Sequence, residues 1–261
     1  MRALGLFGLS IAEEYGGLGL TMEEEALAVL ELGRTSPAFR SAFGSNVGIG
    51  SQGLVLAGTP EQKAAWLPKL ASGDVVASFA LTEPDAGSDA ASLRTRAARD
   101  GDGYLINGTK RYITNAPEAG LFTVMARTGA EGSGADGISA FLVPADTPGL
   151  AVGVPDRKMG QRGAHTADVV LTDCRVPAAS LLGREGEGFR IAMRVLDKGR
   201  LHIAALCTAM AERMLEDALR YALDRKQFGQ RIAEFQLVQA MLADSRTECL
   251  AARSMVMETA R

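Results

Sequence analysis

The hydrophobic period of this sequence changes twice along the chain, and that change constrains the fold more than any other feature. From Met1 to about Gly73, apolar residues recur at helical spacing. From about Asp74 to Leu182 they come in short strand-like runs, and from Gly183 to Arg261 the helical spacing returns. Helices, then strands, then helices point to an α+β fold. The expected organisation is an N-terminal helical domain over residues 1–73 and a central antiparallel β-domain or barrel over 74–182. A C-terminal helical bundle over 183–261 follows, with about half of a four-helix bundle present.

Local signals sharpen the element ends. In "TMEEEALAVLELG", Thr21 is placed to cap a helix, with Glu23, Glu24 and Glu25 in its first turn and Gly33 as its stop. "TPEQKAAWLPKLASG" repeats the device with Thr59, Pro60 and Gly73, while Pro68 predicts a kink or break. In "GYLINGTKRYIT", Asn107-Gly108 predicts a hairpin between β-prone runs, and "LFTVMART", "GISAFLVP" and "ADVVLTDCRVP" read as further strands. Beyond Gly183, Met214, Leu215, Ala218, Leu219 and Ala222 make an apolar stripe, and Glu216 and Arg220 are spaced to pair on one helix face. A second long amphipathic pattern runs to Arg261. Two such stripes need partners, hence the bundle.

Composition narrows the function classes. A net charge of −3 leaves no basic footprint for nucleic acid or an anionic membrane. Cys174, Cys207 and Cys249 are too far apart for a disulfide framework or a metal-ligand spacing, and two histidines are too few for a His-rich metal site. They read as isolated, buried or half-buried thiols of a reduced, cytoplasmic protein. The amino end has no signal-peptide pattern. The longest uncharged stretch, from Ser41 to Pro60, is broken by five glycines and reads as interior helix, not a membrane span.

The chemistry-bearing segments are loops and strand ends. "LTEPDAGSD" (Leu81–Asp89) follows an apolar run and carries three acids with no base, with Thr82 and Ser88 at its ends. Such a loop suits the polar edge of a planar heterocycle or its phosphates; a solvent-exposed Asx-type turn explains the same residues. In "KRYITN", strand alternation sets Tyr112 and Thr114 on one face, able to flank and hydrogen-bond a ring, or to make an ordinary cross-strand pair. "GREGEG" (Gly183–Gly188) reads as a plain helix start, because Glu185 and Glu187 would repel phosphate. Gly199 inside a helix costs about 1 kcal/mol against Ala, which suggests a close approach to the backbone there. Beside it, Arg200 could meet an anion or carbonyl, or pair with Asp197. In "DRKQFGQ", Phe228 and Gly229 predict a helix stop, and Arg225 complements the helix dipole without any ligand.

Seven segments in this order, "EEYGGLGL", "FALTEPDAGSD", "GYLINGTKRYITNA", "KMGQRGAHT", "GREGEGFRIAM", "LDKGR" and "YALDRKQFGQ", strongly resemble the acyl-CoA dehydrogenase family over nearly the whole chain. The resemblance implies FAD bound between a β-domain and a helical bundle, in homotetramers or homodimers. By its motifs, Phe79, Leu81, Thr82 and Ser88 line the flavin on one side. Tyr112, where many members carry Trp, forms the second wall with Ile113 and Thr114. Arg225, Phe228 and Gln236 reach the FAD of a neighbouring subunit, and Ser88 and Arg200 contact the acyl-CoA. The implied reaction is α,β-dehydrogenation of an acyl-CoA thioester, with electrons passed to an electron-transferring flavoprotein.

One departure from the family pattern stands out. Most members place the catalytic Glu late in the C-terminal domain, a position expected beyond Arg261. A minority place it directly before the Arg that matches Arg200, where this chain has Gly199. No catalytic residue is therefore assigned, and the chain resembles a family member shortened at both ends. A flavin oxidase or monooxygenase on the same fold, or a fragment without catalysis, are the competing readings.

Overall fold

The protein is described by a computed structural model of residues 1–130 and 132–261. Its helices are α1 (Met22–Gly33), α2 (Pro37–Ser45), α3 (Gln52–Ala57), α4 (Pro60–Ser72), α5 (Gly188–Asp224) and α6 (Gln236–Ala260). One sheet holds β1 (Ala77–Ala80), β2 (Arg96–Asp100), β3 (Gly103–Thr114), β4 (Leu121–Arg127), β5 (Ile138–Pro144), β6 (Leu150–Val152), β7 (Thr166–Pro177) and β8 (Leu181–Leu182). A small second sheet holds β9 (Lys226–Gln227) and β10 (Gln230–Arg231). The chain folds into two compact units. Met1–Leu20 and Ser41–Gly199 form the first, Thr21–Arg40 and Arg200–Arg261 the second.

In the first unit the sheet runs in the order β6-β7-β3-β2-β4-β5-β8, and β1 also pairs with β4. Pairing is antiparallel except where β1 and β2 each meet β4 in parallel, so the sheet is mixed. β4 and β5 are buried on both faces, which is why they read as continuous apolar runs. Leu121 and Met125 of β4 join Leu54, Leu67 and Leu70 of the helices in one core. Phe122 and Val124 face the other way, into a core with Tyr104, Ile106, Phe141 and Val169. α4 starts on a Thr59–Gln62 capping box with Pro60 at its first position and closes on Gly73 in the left-handed conformation. Pro68 does not break it: the ring and Ala64, whose carbonyl loses its intrahelical donor, lie on the exposed face.

The hairpin turn is not at Asn107-Gly108. β3 runs straight through that dipeptide, and the chain reverses instead at Gly101-Asp102, where Asp100 pairs with Gly103. Asn107 is committed sideways, donating to Asp173 (3.1 Å) and accepting from the Asp173 N–H (2.8 Å). Gly108 is there for space, since a Cβ would lie 2.3 Å from the Thr95 hydroxyl oxygen.

In the second unit, α1 begins on a Thr21–Glu24 capping box and packs Ala26, Val29 and Leu30 against Ala205, Leu206 and Ala209 of α5 and Val256 and Ala260 of α6. Gly33 is the last helical residue, and its role is packing: a Cβ would stand 2.8 Å from the Ala209 methyl. Glu216 does not pair with Arg220. It takes a two-pronged bond from Arg34, and Arg220 turns to Asp217. Nor do Phe228 and Gly229 stop a helix. α5 ends at Asp224, and Phe228-Gly229 form the two-residue turn of the β9–β10 hairpin, both with positive φ (53° and 79°). The expected apolar stripes are present but largely uncovered within this unit, with Met214, Leu237, Met241 and Met255 exposed. Cys174 and Cys249 are buried, whereas Cys207 is exposed.

Candidate functional site

The loop after β1 is closed on itself and then tied to β3. The Glu83 N–H donates to the Ala86 carbonyl (3.0 Å) and the Ala86 N–H returns to Glu83 (3.3 Å). The Glu83 carboxylate turns inward, where one oxygen meets the fully buried Lys110 ammonium at 2.7 Å and accepts the Thr95 N–H at 2.9 Å. Its other oxygen accepts the Arg94 N–H (2.6 Å), and Lys110 also donates to the Leu81 carbonyl (3.2 Å). Both charges are thereby neutralised and hydrogen-bonded, the condition under which a buried pair persists. Burial pushes the Glu83 carboxyl upward, but Lys110 and the backbone donors outweigh it and hold the group below the usual carboxylate range. Burial lowers the Lys110 ammonium to about 8, against the pull of Glu83.

This pair answers the charge imbalance of "LTEPDAGSD", whose base comes from β3. Of the other acids, Asp85 pairs with Arg94 at the surface and Asp89 accepts the Ser92 hydroxyl. Glu83 and Lys110 went unassigned on sequence. A lone Lys inside a β-prone run and an unbalanced acid 27 positions earlier are a weak signal, because only the strand pairing brings them together.

Lys110 also sits at the edge of a slip in register. Between Lys110 and Ile113 the β3–β7 pairing shifts, and Tyr112 takes a positive φ of 58°. The bulge interrupts the regular strand alternation at Tyr112. A bulky residue there costs about 1–3 kcal/mol. Neighbouring contacts hold it: the Arg111 N–H donates to the Thr82 carbonyl (2.8 Å), and Ile113 pairs with Ala167 on β7. Tyr112 ends up 60% exposed, with the Arg111 guanidinium 5.0 Å from its ring centre. The Ser78 hydroxyl donates to the Thr114 carbonyl (2.7 Å), joining the start of the loop strand to the end of β3.

The structure brings Thr82 beside Arg111-Tyr112 and Thr114 beside Ser78. Among the described residues, the hydroxyls of Thr82, Ser88 and Thr114 have no hydrogen-bond partner. Ser88 lies on the exposed far part of the loop, and neither a positive φ nor a close protein neighbour requires the glycine at Gly87. Phe79, Leu81 and Ile113 are core residues, so ligand contact from them would be through backbone. The first unit thus presents unused donors beside an exposed aromatic ring, an arrangement suited to a planar, acceptor-rich heterocycle.

In the second unit, Arg200, Arg225 and Gln236 are exposed, and Phe228 is 93% exposed at the hairpin tip, edge-on to Phe235 at 6.3 Å. The Arg225 carbonyl accepts the Ile232 N–H (2.9 Å), which fixes the backbone that carries its side chain. Among the described residues there is no group of His, Cys, Asp and Glu able to hold a metal ion, and no helix long and apolar enough to cross a membrane.

Comparison with known proteins matches three family models: the acyl-CoA dehydrogenase N-terminal domain over residues 1–74, its middle domain over 78–174 and its C-terminal domain over 186–261. The chain is 47% identical to the probable acyl-CoA dehydrogenase YngJ of Bacillus subtilis, over all of this chain and 68% of that protein. In the solved structure of the electron transferring flavoprotein of Acidaminococcus fermentans, one chain superposes with a TM-score of 0.96 and 42% identity; the match covers all of this chain and 68% of that one. The acyl-CoA dehydrogenase complexed with FAD from Bacillus anthracis superposes at 0.93 with 39% identity, over 99% of this chain and 44% of that one. The chain spans about two thirds of the length of the curated relatives it matches, 68% and 65% in two of them.

Proposed function

Because the chain belongs to the acyl-CoA dehydrogenase family, we propose that it binds FAD against β1, β3 and the Leu81–Ser88 loop and takes part in the α,β-dehydrogenation of an acyl-CoA thioester. Electrons then leave through an electron-transferring flavoprotein, a partner suggested by the match in the Acidaminococcus fermentans structure. The observation that carries the reading is the pair of unpartnered hydroxyls at Thr82 and Thr114 near exposed Tyr112, since the acceptor-rich edge of a flavin is the complement of those donors.

FAD, when bound, would supply the oxidising power for the reaction. The protein's share is orientation. The Thr82 and Thr114 hydroxyls donate to ring heteroatoms, the Tyr112 ring flanks the cofactor, and the Glu83–Lys110 pair keeps loop and strand in register beneath them. Glu83 takes no proton from substrate, because it is buried and its oxygens are already committed to Lys110, Arg94 and Thr95. By the family resemblance, the exposed Ser88 of the first unit would contact the acyl-CoA. Arg225, Phe228 and Gln236 would meet the FAD of a neighbouring copy in a homodimer or homotetramer, which gives a reason for an aromatic ring held out at a hairpin tip.

Reconstitution with FAD tests this. A yellow protein that bleaches anaerobically on addition of an acyl-CoA is the expected result. Protein that retains FAD but never bleaches would sink the dehydrogenation, and peroxide released under air would move the reaction to an oxidase.

A further inference from the structure

β3 and β7 are in step at Lys110–Val169 and again at Ile113–Ala167. Between these pairs β3 carries two residues, Arg111 and Tyr112, and β7 carries one, Asp168. Two residues against one is a β-bulge, a device that sheets keep beside sites. The single residue opposite is an acid, and its carboxylate takes the Arg111 guanidinium at 3.2 Å. Tyr112, Asp168 and Asp156, in that order, hold this guanidinium above its ordinary range. All four residues belong to the first unit.

Both partners of the ion pair are partly exposed, so the pair by itself contributes little stability. Its effect is on geometry. The Arg111 N–H donates to the Thr82 carbonyl (2.8 Å) and its guanidinium donates to Asp168, so backbone and side chain are both anchored. Held in this way, the guanidinium stands 5.0 Å from the centre of the Tyr112 ring, within cation–π range. Tyr112 needs such support. A φ of 58° is costly for a bulky residue, and among the described residues Tyr112 has no register partner on β7. No second aromatic ring packs on it among the described residues, and at 60% exposure it stays open to a ligand.

We propose that Arg111 is a positioning residue for the cofactor: braced on Asp168 across the bulge, it packs on the Tyr112 ring and fixes the wall against which FAD lies. This rests on the FAD reading above. Arginine suits the task better than lysine, because a planar guanidinium can bind a carboxylate and stack on an aromatic face at once. A double-mutant cycle on FAD affinity tests it. Arg111→Met should weaken FAD by about tenfold, the effect of losing one cation–π contact. In a Tyr112→Leu background the same change should move the affinity by less than about twofold, since the ring through which Arg111 acts is gone. Arg111→Lys keeps the charge without the flat face and should recover only part of the loss. Asp168→Asn releases the brace and should weaken FAD in the same direction. A spectroscopic readout separates positioning from a merely loosened strand. An aromatic ring held against a flavin quenches its fluorescence, so bound FAD should be brighter in Arg111→Met than in wild type. The stack is also read without FAD, as a ring-current shift of the Arg111 side-chain resonances that Tyr112→Leu removes. Absence of that shift overturns the proposal. So does an equal loss of affinity in both backgrounds, or full affinity and quenching with lysine, while the FAD still bound in those cases leaves the cofactor reading standing. Wild-type protein that retains no FAD overturns both.

Discussion

Glu83 and Lys110 are separated by 27 positions, yet each is the reason the other can be buried. Glu83→Gln leaves a buried ammonium facing a neutral amide, and should cost about 3–5 kcal/mol in denaturant unfolding. The pH dependence has a definite sign. The Glu83 carboxyl titrates below its ordinary value of 4.5 in the fold, so on acidification the unfolded chain takes up the proton first. Its stabilisation is complete above the ordinary value and is lost as pH falls through the folded value. Glu83→Gln should therefore flatten the acid limb of the stability curve, and an unchanged limb would show that the pair carries no such linkage. At Gly199 the sequence suggested a close approach to the backbone, but a Cβ there would meet only the Ile49 methyl, at 3.4 Å, among the described residues. Gly199→Ala should thus raise stability by about 0.5–1 kcal/mol, read as an upward shift in melting temperature.

At the scale of elements, capping chemistry was legible and turn chemistry was not. Thr21 and Thr59 cap α1 and α4 as their sequences imply, because a cap involves residues three apart and nothing distant. Asn107-Gly108 and Phe228-Gly229 went the other way, a hairpin signal lying inside a strand and a helix stop forming a hairpin. In the first case Asp173 and Thr95, both remote in sequence, claim the two residues. In the second, positive φ at both positions satisfies the tight turn that joins β9 to β10. Gly229→Ala should accordingly destabilise that hairpin by about 1 kcal/mol. The measurement is amide hydrogen exchange, with faster exchange confined to residues 226–231; protection equal to wild type would contradict the turn assignment.

Over the whole molecule, packing partners are not neighbours in sequence. The second unit needs Ala26, Val29 and Leu30 of α1 to cover Ala205, Leu206 and Ala209 of α5. Residues 186–261 expressed alone should therefore bind an apolar dye and melt without cooperativity, and a peptide of residues 21–40 should restore a cooperative transition. Cooperative melting without the peptide would show that α1 is dispensable. What the sequence determined by itself was the succession of helices, strands and helices, the helix caps, and the segments that mark the family. These rest on period and on contacts within a few residues, which the order of residues specifies directly. Only the tertiary structure decided that Lys110 balances Glu83 and that a slip in register interrupts β3 beside Tyr112. Both depend on residues far away in the chain, which bury the first and set the strand pairing of the second, and neither burial nor register is encoded by local sequence.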